Sequence, residues 1–222
     1  MKFDIARQPL VPAFMTLFAL AVAAMCAGIP VPDTETSGAV REALPLLGGQ
    51  LARFQAAYPV WSKFAAGFML LFAGMCTGRI SIRYNLYTVG TCLPIPLYAI
   101  VACGIATGGN YLAGFAASML LALATKNYCR AFCNGYGFDA IFRASLYLGL
   151  MPLIYAPALP LLLLLPLAVL LFRRTFREVV VATAGLLLPI FTACYVSWGS
   201  GAEFTAPLVT VGQSAIEGMP LQ

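Results

Sequence analysis

The sequence predicts an all-α integral membrane protein, a helical bundle of about seven transmembrane helices. Of its 222 residues, 61% are apolar and only 9% are charged. A soluble domain carries about 25% charged residues. Long apolar stretches recur along the chain, and basic residues lie on alternate connections between them. These observations argue against a water-soluble globular protein.

A helix needs about 20 residues to cross a hydrocarbon core of roughly 30 Å. Each predicted span is an apolar stretch of about this length. The fourth reaches that length only if it continues through Lys126 and Cys129. One long apolar run holds two crossings if Tyr155-Ala156-Pro157 forms a turn, because a proline pushes the preceding residue out of the helical region. The predicted spans are residues 10–29, 58–77, 88–107, 111–124, two within 140–172, and 179–198.

The first span is interpreted as a retained helix. Its apolar core is longer than the 7–15 residues of a signal peptide, and Asp4 precedes it. Cleavage, the alternative, would leave six spans.

The distribution of basic residues predicts the orientation. By the positive-inside rule, the segments that hold most of them face the cytoplasm, so the N-terminus is cytoplasmic and the C-terminus periplasmic in a bacterial inner membrane. Trp61 and Trp198 then fall at the outer interface, which favours indole rings. The cytoplasmic segments hold ten of the 13 basic residues: Lys2, Arg7, Arg79, Arg83, Lys126, Arg130, Arg143, Arg173, Arg174 and Arg177.

The cations are spread among hydrophobic segments, which predicts that they are not gathered on one face. Nucleic-acid binding is therefore not expected.

Outside the spans, the sequence predicts one interfacial helix and an external tail. Residues 1–198 form a single transmembrane domain, and residues 199–222 form the tail, which lacks a strong period and is predicted to be disordered or docked on another molecule. Within the outer loop 30–57, Pro45 and Gly48-Gly49 are expected to bend or interrupt an amphipathic helix. Its apolar positions recur at three- and four-residue steps: Val40, Leu44, Leu47, Leu51 and Phe54.

Small residues in two spans predict close helix contacts. No long internal repeat is visible, which gives little support to a transporter built from inverted halves. The small residues are Ala66, Gly67, Ala73 and Gly74 in the second span, and Ala113, Gly114, Ala117 and Ser118 in the fourth.

Asp33 and Glu35 are the candidate catalytic residues, because both lie a few residues after the outer end of the first span, close to the membrane surface. Two carboxylates can bind Mg²⁺ or activate an acceptor hydroxyl, as a lipid-linked sugar or phospholipid transferase requires. They are equally compatible with a solvated loop or a helix cap, and this simpler interpretation is preferred.

Other charged residues have a structural interpretation as well as a functional one. Lys63 lies inside the second span, where a charge indicates function by default but a lysine can also snorkel to the interface. Asp139 and Arg143 are predicted to form a helix cap with a local ion pair. The basic run between the last two spans either binds anionic lipid headgroups, at about 1 kcal/mol per residue, or acts as a topology signal: Arg173, Arg174 and Arg177.

The residue inventory excludes several reaction classes. The chain has no histidine, which removes Ser-His-Asp and Cys-His mechanisms and the H-E-x-x-H zinc site. Its seven cysteines are interpreted mainly as small apolar residues. Cys129 and Cys133 alone form an incomplete zinc site, so neither a metal nor a cofactor is expected.

The stretch from Phe138 to Phe191 resembles an uncharacterised family of polytopic inner-membrane proteins from Bacteroidota, known by a domain-of-unknown-function name. With a further segment from Arg83 to Tyr98, the resemblance extends over residues 58–198. It implies a location in the inner membrane and adds no catalytic residue. The segments that carry it are Phe138-Asp139-Ala140, Ala144-Ser145-Leu146-Tyr147, Leu153-Ile154-Tyr155-Ala156-Pro157, Arg173-Arg174-Thr175-Phe176-Arg177-Glu178 and Gly185-Leu186-Leu187-Leu188-Pro189.

The preferred functional interpretation is a non-catalytic subunit or scaffold of an envelope complex, in contact with the lipid bilayer and with other membrane proteins. Helix-contact residues are plentiful in the chain and reactive constellations are not. The alternatives are the transferase that would use Asp33 and Glu35 and, less favoured, a small-solute transporter.

Overall fold

The described part of the chain is entirely helical, which confirms the all-α prediction there. The computed structural model describes residues 10–26, 46–84, 91–107, 110–133, 137–164, 167 and 176–217. Its α-helices are α1 (Leu10–Cys26), α2 (Leu46–Ala57), α3 (Pro59–Arg83), α4 (Pro94–Cys103), α5 (Tyr111–Cys133), α6 (Phe138–Ile154), α7 (Phe176–Gly199) and α8 (Ala206–Glu217), with 3₁₀ segments at Gly104–Thr107 and Ala156–Leu163.

Helix α5 lies at the centre of the bundle. It packs against α3 on one side and α6 on the other, while α1 and α4 cover α3 and α7 covers α6. Phe115 and Leu112 of α5 are among the most deeply buried side chains. The helix continues through Lys126 and Cys129 as far as Cys133, as its predicted crossing required.

The predicted break at Tyr155-Ala156-Pro157 is confirmed. Helix α6 ends at Ile154, and Tyr155 has an extended backbone with φ −138° and ψ 97°. A 3₁₀ segment begins at Ala156. Pro157 has no N–H to donate to the carbonyl of Leu153 and its ring would clash with that carbonyl, so the α-helix does not continue through it.

Helices α6 and α7 run in the same direction. Ala140 and Ala182, from the early turns of the two helices, share one buried cluster. At the other end, α8 follows α7 and packs on the 3₁₀ segment that follows α6. Tyr155 and Phe176 therefore lie at opposite ends of the bundle, which the predicted hairpin also requires.

The small residues of α3 are helix contacts, as predicted. A Cβ atom on Gly67 would collide with Met25 of α1, and one on Gly74 would lie 2.6 Å from a methyl group of Leu17. Such close approach is the usual role of small residues between membrane helices.

A closer contact joins α6 to α7. A Cβ atom on Gly149 would overlap the carbonyl oxygen of Leu186, and one on Gly185 would lie 2.7 Å from the carbonyl oxygen of Phe142. Because backbone atoms cannot rotate away, both positions require glycine. Neither glycine was among the small residues predicted to form helix contacts.

Helix α2 corrects the prediction for the outer loop. It begins at Leu46 and runs through Gly48-Gly49 without interruption. Its Gln55 side chain accepts a hydrogen bond from the backbone N–H of Leu112, at 3.3 Å. The predicted interruption at the glycines is wrong because contacts with α3, α5 and α6 hold the helix; Pro45 and Val40 lie outside the described residues.

Helix α8 corrects the prediction of disorder for part of the tail, because residues 206–217 form a helix that packs on α7 and on the 3₁₀ segment after α6. Pro207 occupies the first turn, where its missing N–H costs nothing. Val211 and Ala215 follow at four-residue steps, and all three are buried against the bundle. Helix α8 is the most amphipathic of the described helices, so the prediction that the tail lacks a strong period is wrong at these residues.

Two described helices, α3 and α7, are long and apolar enough to cross a membrane, judged by length and composition. Helices α1 and α4 are apolar but shorter, with 17 and 10 residues. In α7 most large apolar side chains are exposed: Val180, Leu187, Leu188, Phe191, Tyr195, Val196 and Trp198.

A buried hydroxyl pair joins the first turns of α3 and α5, where Ser62 and Tyr111 share a hydrogen bond. We expect Tyr111→Phe to lower the free energy of unfolding by about 1 kcal/mol, since the Ser62 hydroxyl keeps its bond to the Pro59 carbonyl. Unfolding in detergent, with the exposed Tyr195→Phe as control, measures the effect. Equal stability of the two variants would contradict the expectation.

Candidate functional site

A basic cleft lies at the end of the bundle where α3 and α5 finish and α6 begins. Helix α3 contributes Arg79 and Arg83, helix α5 contributes Lys126 and Arg130, and helix α6 contributes Arg143. The cleft has a volume of about 270 Å³, and its described lining consists of Arg79, Arg83, Tyr84, Leu123, Lys126, Asn127, Arg130, Arg143 and Tyr147.

None of these lining residues is acidic. Arg143 forms an ion pair with Asp139 over 2.9 Å between Nε and Oδ1, and both side chains are more than half exposed. Asp139 itself lies outside the lining. The described lining therefore concentrates cationic groups, and the Asp139 carboxylate pairs with Arg143 at its edge.

Helix geometry explains part of this arrangement. Arg83 and Arg130 lie in the last turns of α3 and α5, where the partial negative charge of the helix end favours cations. Arg79 and Lys126 lie one turn earlier on the same helix faces. Like charges four residues apart destabilise a helix by about 0.2–0.5 kcal/mol, so helix stability alone does not explain the two pairs.

The chemistry of the cleft suits an oxyanion. Guanidinium groups donate paired hydrogen bonds that match the oxygen geometry of phosphate, and a lysine adds a compact charge. Tyr84 and Tyr147 add phenolic hydroxyls, and Asn127 adds an amide group whose nitrogen already donates to the Leu123 carbonyl at 2.9 Å. The volume is far above the roughly 15 Å³ that a single water requires.

Of the residues predicted to form a site, the structure describes Lys63 and Arg177. Asp33, Glu35, Arg173 and Arg174 lie outside the described residues. Lys63 is the fifth residue of α3 and is partly buried, at the end of the bundle opposite to the basic cleft.

Two further predictions concern residues near the cleft. Arg177 is exposed in the first turn of α7 and does not line the cleft. The ion pair between Asp139 and Arg143 is confirmed. The prediction that Asp139 caps α6 is wrong, because Gly137 occupies the cap position and no side-chain cap bond forms.

The cleft was not predicted, because Arg79, Arg83, Lys126 and Arg130 were interpreted as topology signals, and Arg143 as a topology signal and as the partner of Asp139. The expectation that the cations are not gathered on one face is wrong for these five. One signal in the sequence could have indicated the cleft. Arg79 with Arg83, and Lys126 with Arg130, are pairs of like charges at four-residue spacing, which lowers helix stability.

Cysteines and acidic residues form no comparable cluster in the described part of the chain. There, no three His, Cys, Asp or Glu side chains come together as metal ligands would. Cys76, Cys92 and Cys194 are free thiols buried between helices. The side chain of Cys133 lies outside the described residues.

Comparison with protein-family models, with curated proteins and with solved structures gives no match for this chain.

Proposed function

We propose that this chain is a polytopic inner-membrane protein that binds a phosphate-bearing anion at its cytoplasmic end, as a non-catalytic subunit of an envelope complex. The observation that carries the proposal is the basic cleft, in which five cationic side chains from three helices line one cavity without an acidic neighbour in the described lining.

The proposed membrane arrangement has seven crossings. Helices α1, α3, α5, α6 and α7 supply five, α4 with its 3₁₀ turn supplies another, and the connection between Tyr155 and Phe176 supplies the last. Exposed apolar side chains support it, because a surface rich in large apolar groups is compatible with lipid and unfavourable in water.

The orientation is supported by charged and aromatic residues at opposite ends. Arg83 and Arg130 belong to two separate segments assigned to the cytoplasm, and both line the basic cleft. Trp61 and Trp198 are exposed in the first turn of α3 and the last turn of α7, where the outer interface would lie. The proposal therefore keeps the N-terminus cytoplasmic and the C-terminus periplasmic.

The residue types in the cleft support a non-catalytic role. Its described lining holds cations, two phenols and an amide, but neither a thiol nor a carboxylate that could act as nucleophile or base. A bound anion would serve to join this chain to a partner or to the membrane. The resemblance to the Bacteroidota family agrees with this location and stays a proposal.

The transferase alternative uses the other side of the membrane. Asp33 and Glu35 would lie in the outer loop, whereas the basic cleft is cytoplasmic. Replacing both by Asn and Gln should leave cellular function unchanged under the preferred proposal, and a complete loss would favour the transferase.

Calorimetric titration of the purified chain with inorganic pyrophosphate tests anion binding. We expect Arg83→Gln with Arg130→Gln to weaken binding at least tenfold, because each removes a charge-assisted hydrogen bond. The control is Arg53→Gln with Arg177→Gln, two exposed cations outside the cleft. Absence of binding, or equal loss in both double variants, would contradict the proposal.

A further inference from the structure

An apolar groove opens beside the basic cleft, between α1 and α3. Its volume is about 740 Å³, within the range of roughly 300–1,000 Å³ that is usual for ligand sites. Its apolar walls include Val11, Phe14 and Met15 of α1, and Phe72, Met75 and Ile82 of α3.

The groove and the cleft share three cations. Arg79, Arg83 and Lys126 line both cavities. The two cavities therefore meet at these side chains, so that an apolar channel ends at a concentration of positive charge. A single ligand that fills both must carry an apolar part and an anionic part.

The groove has the length of one lipid leaflet. Phe72 and Arg83 are eleven residues apart on α3, which is about 16 Å along a helix axis. Half of a hydrocarbon core is about 15 Å. In the proposed orientation, the groove starts at the cytoplasmic surface and ends near the middle of the membrane.

The groove is also open to the surrounding medium. Val11 is 67% exposed, Met15 is 60% exposed and Met75 is 48% exposed. A lipid chain could therefore enter sideways from the bilayer without any movement of the helices.

We propose that the groove and the basic cleft together bind one anionic phospholipid of the cytoplasmic leaflet, with its phosphate groups on the shared cations and an acyl chain along α1 and α3. This inference rests on the proposed function and identifies its phosphate-bearing anion as a phospholipid. Because five cations line the cleft and the ion pair with Asp139 takes up the charge of Arg143, a headgroup with two phosphates fits better than one with a single charge.

Charge complementarity favours a lipid over a transmembrane helix of another protein. A helix in the groove would need acidic side chains at one depth to meet Arg79, Arg83 and Lys126. A phospholipid meets that condition by its ordinary structure, since its phosphate lies where its acyl chains end.

Native mass spectrometry of the purified chain, titrated with cardiolipin and with phosphatidylcholine, tests the inference. We expect cardiolipin to bind at least tenfold more tightly than phosphatidylcholine. Met15→Trp with Met75→Trp fills the groove and should weaken cardiolipin binding at least tenfold while pyrophosphate binding is unchanged. The matched control is Val180→Trp with Val196→Trp, at exposed positions of α7 outside the groove.

The outcomes separate the two proposals. Arg83→Gln should weaken cardiolipin binding about fivefold, the equivalent of about 1 kcal/mol per cation. Cardiolipin binding that survives in the groove-filled variant would overturn the inference and leave the anion site intact. If the wild-type chain bound pyrophosphate but did not prefer cardiolipin, the lipid inference would be overturned and the anion site would stand. If the wild-type chain bound neither pyrophosphate nor cardiolipin, the proposed function would be overturned as well.

Discussion

Gly149→Ala should lower the free energy of unfolding by about 3 kcal/mol, at the upper end of the cost of overpacking a core. The added Cβ would overlap the carbonyl oxygen of Leu186 and lie 3.1 Å from its carbonyl carbon. Neither atom can move unless α6 and α7 separate along their length. Thermal unfolding in mild detergent, followed by loss of helical signal, measures the effect.

Gly212→Ala is the matched control, because a Cβ on this glycine of α8 meets nothing within 4 Å. Alanine favours a helix over glycine by about 0.8–1.0 kcal/mol, so this variant should be slightly more stable than the wild type. If both variants gained stability, the close approach of α6 to α7 would be refuted.

Leu188→Lys should disrupt membrane insertion of α7. Leu188 lies near the middle of the helix and is 48% exposed, so in the proposed bundle it faces lipid. A lysine at the centre of a transmembrane helix costs about 2.5–3.5 kcal/mol on insertion scales. The amount of full-length chain in the membrane fraction should fall severalfold, which immunodetection after fractionation measures.

Gln213→Lys is the control for added charge, since this exposed residue of α8 faces water in the proposed arrangement. It should leave the amount in the membrane fraction unchanged. In a water-soluble protein, a lysine at an exposed leucine would be harmless as well. Equal yields of the two lysine variants would therefore contradict a lipid-facing α7.

Local steric rules explain the successful predictions. The break at Tyr155 follows from the missing N–H and the ring of Pro157, which end an α-helix whatever the rest of the fold. The contact role of Gly67 and Gly74 follows from their size and spacing. The partner helix could not be predicted, because it depends on where α1 packs.

The basic cleft escaped prediction because the spans were assigned too short. A standard length of about 20 residues ended the second span at residue 77, and the fourth was assigned residues 111–124 with an extension left open, so the cations that follow were counted in loops. Helices α3 and α5 instead continue to Arg83 and Cys133, so that Arg79 and Lys126 project from rigid helix faces. Only the packing of α3 against α5 brings these faces together.

Gly149 and Gly185 escaped prediction for a related reason. Each lies in an apolar run where a single glycine has no distinctive pattern, and its significance depends on the carbonyl group of a residue about 40 positions away. Contacts of this kind arise from the crossing of two helices and leave no local signal in either one.

Accessibility of single cysteines in intact cells tests the membrane arrangement most directly. In a background without the seven native cysteines, Ser200→Cys lies just beyond the end of α7 that is proposed to face outward, and Arg130→Cys lies in the basic cleft. A membrane-impermeant maleimide should label position 200 in intact cells and position 130 only after the membrane is permeabilised. Labelling of position 130 in intact cells, or equal labelling of both positions, would contradict a bundle that spans the membrane with its basic cleft in the cytoplasm.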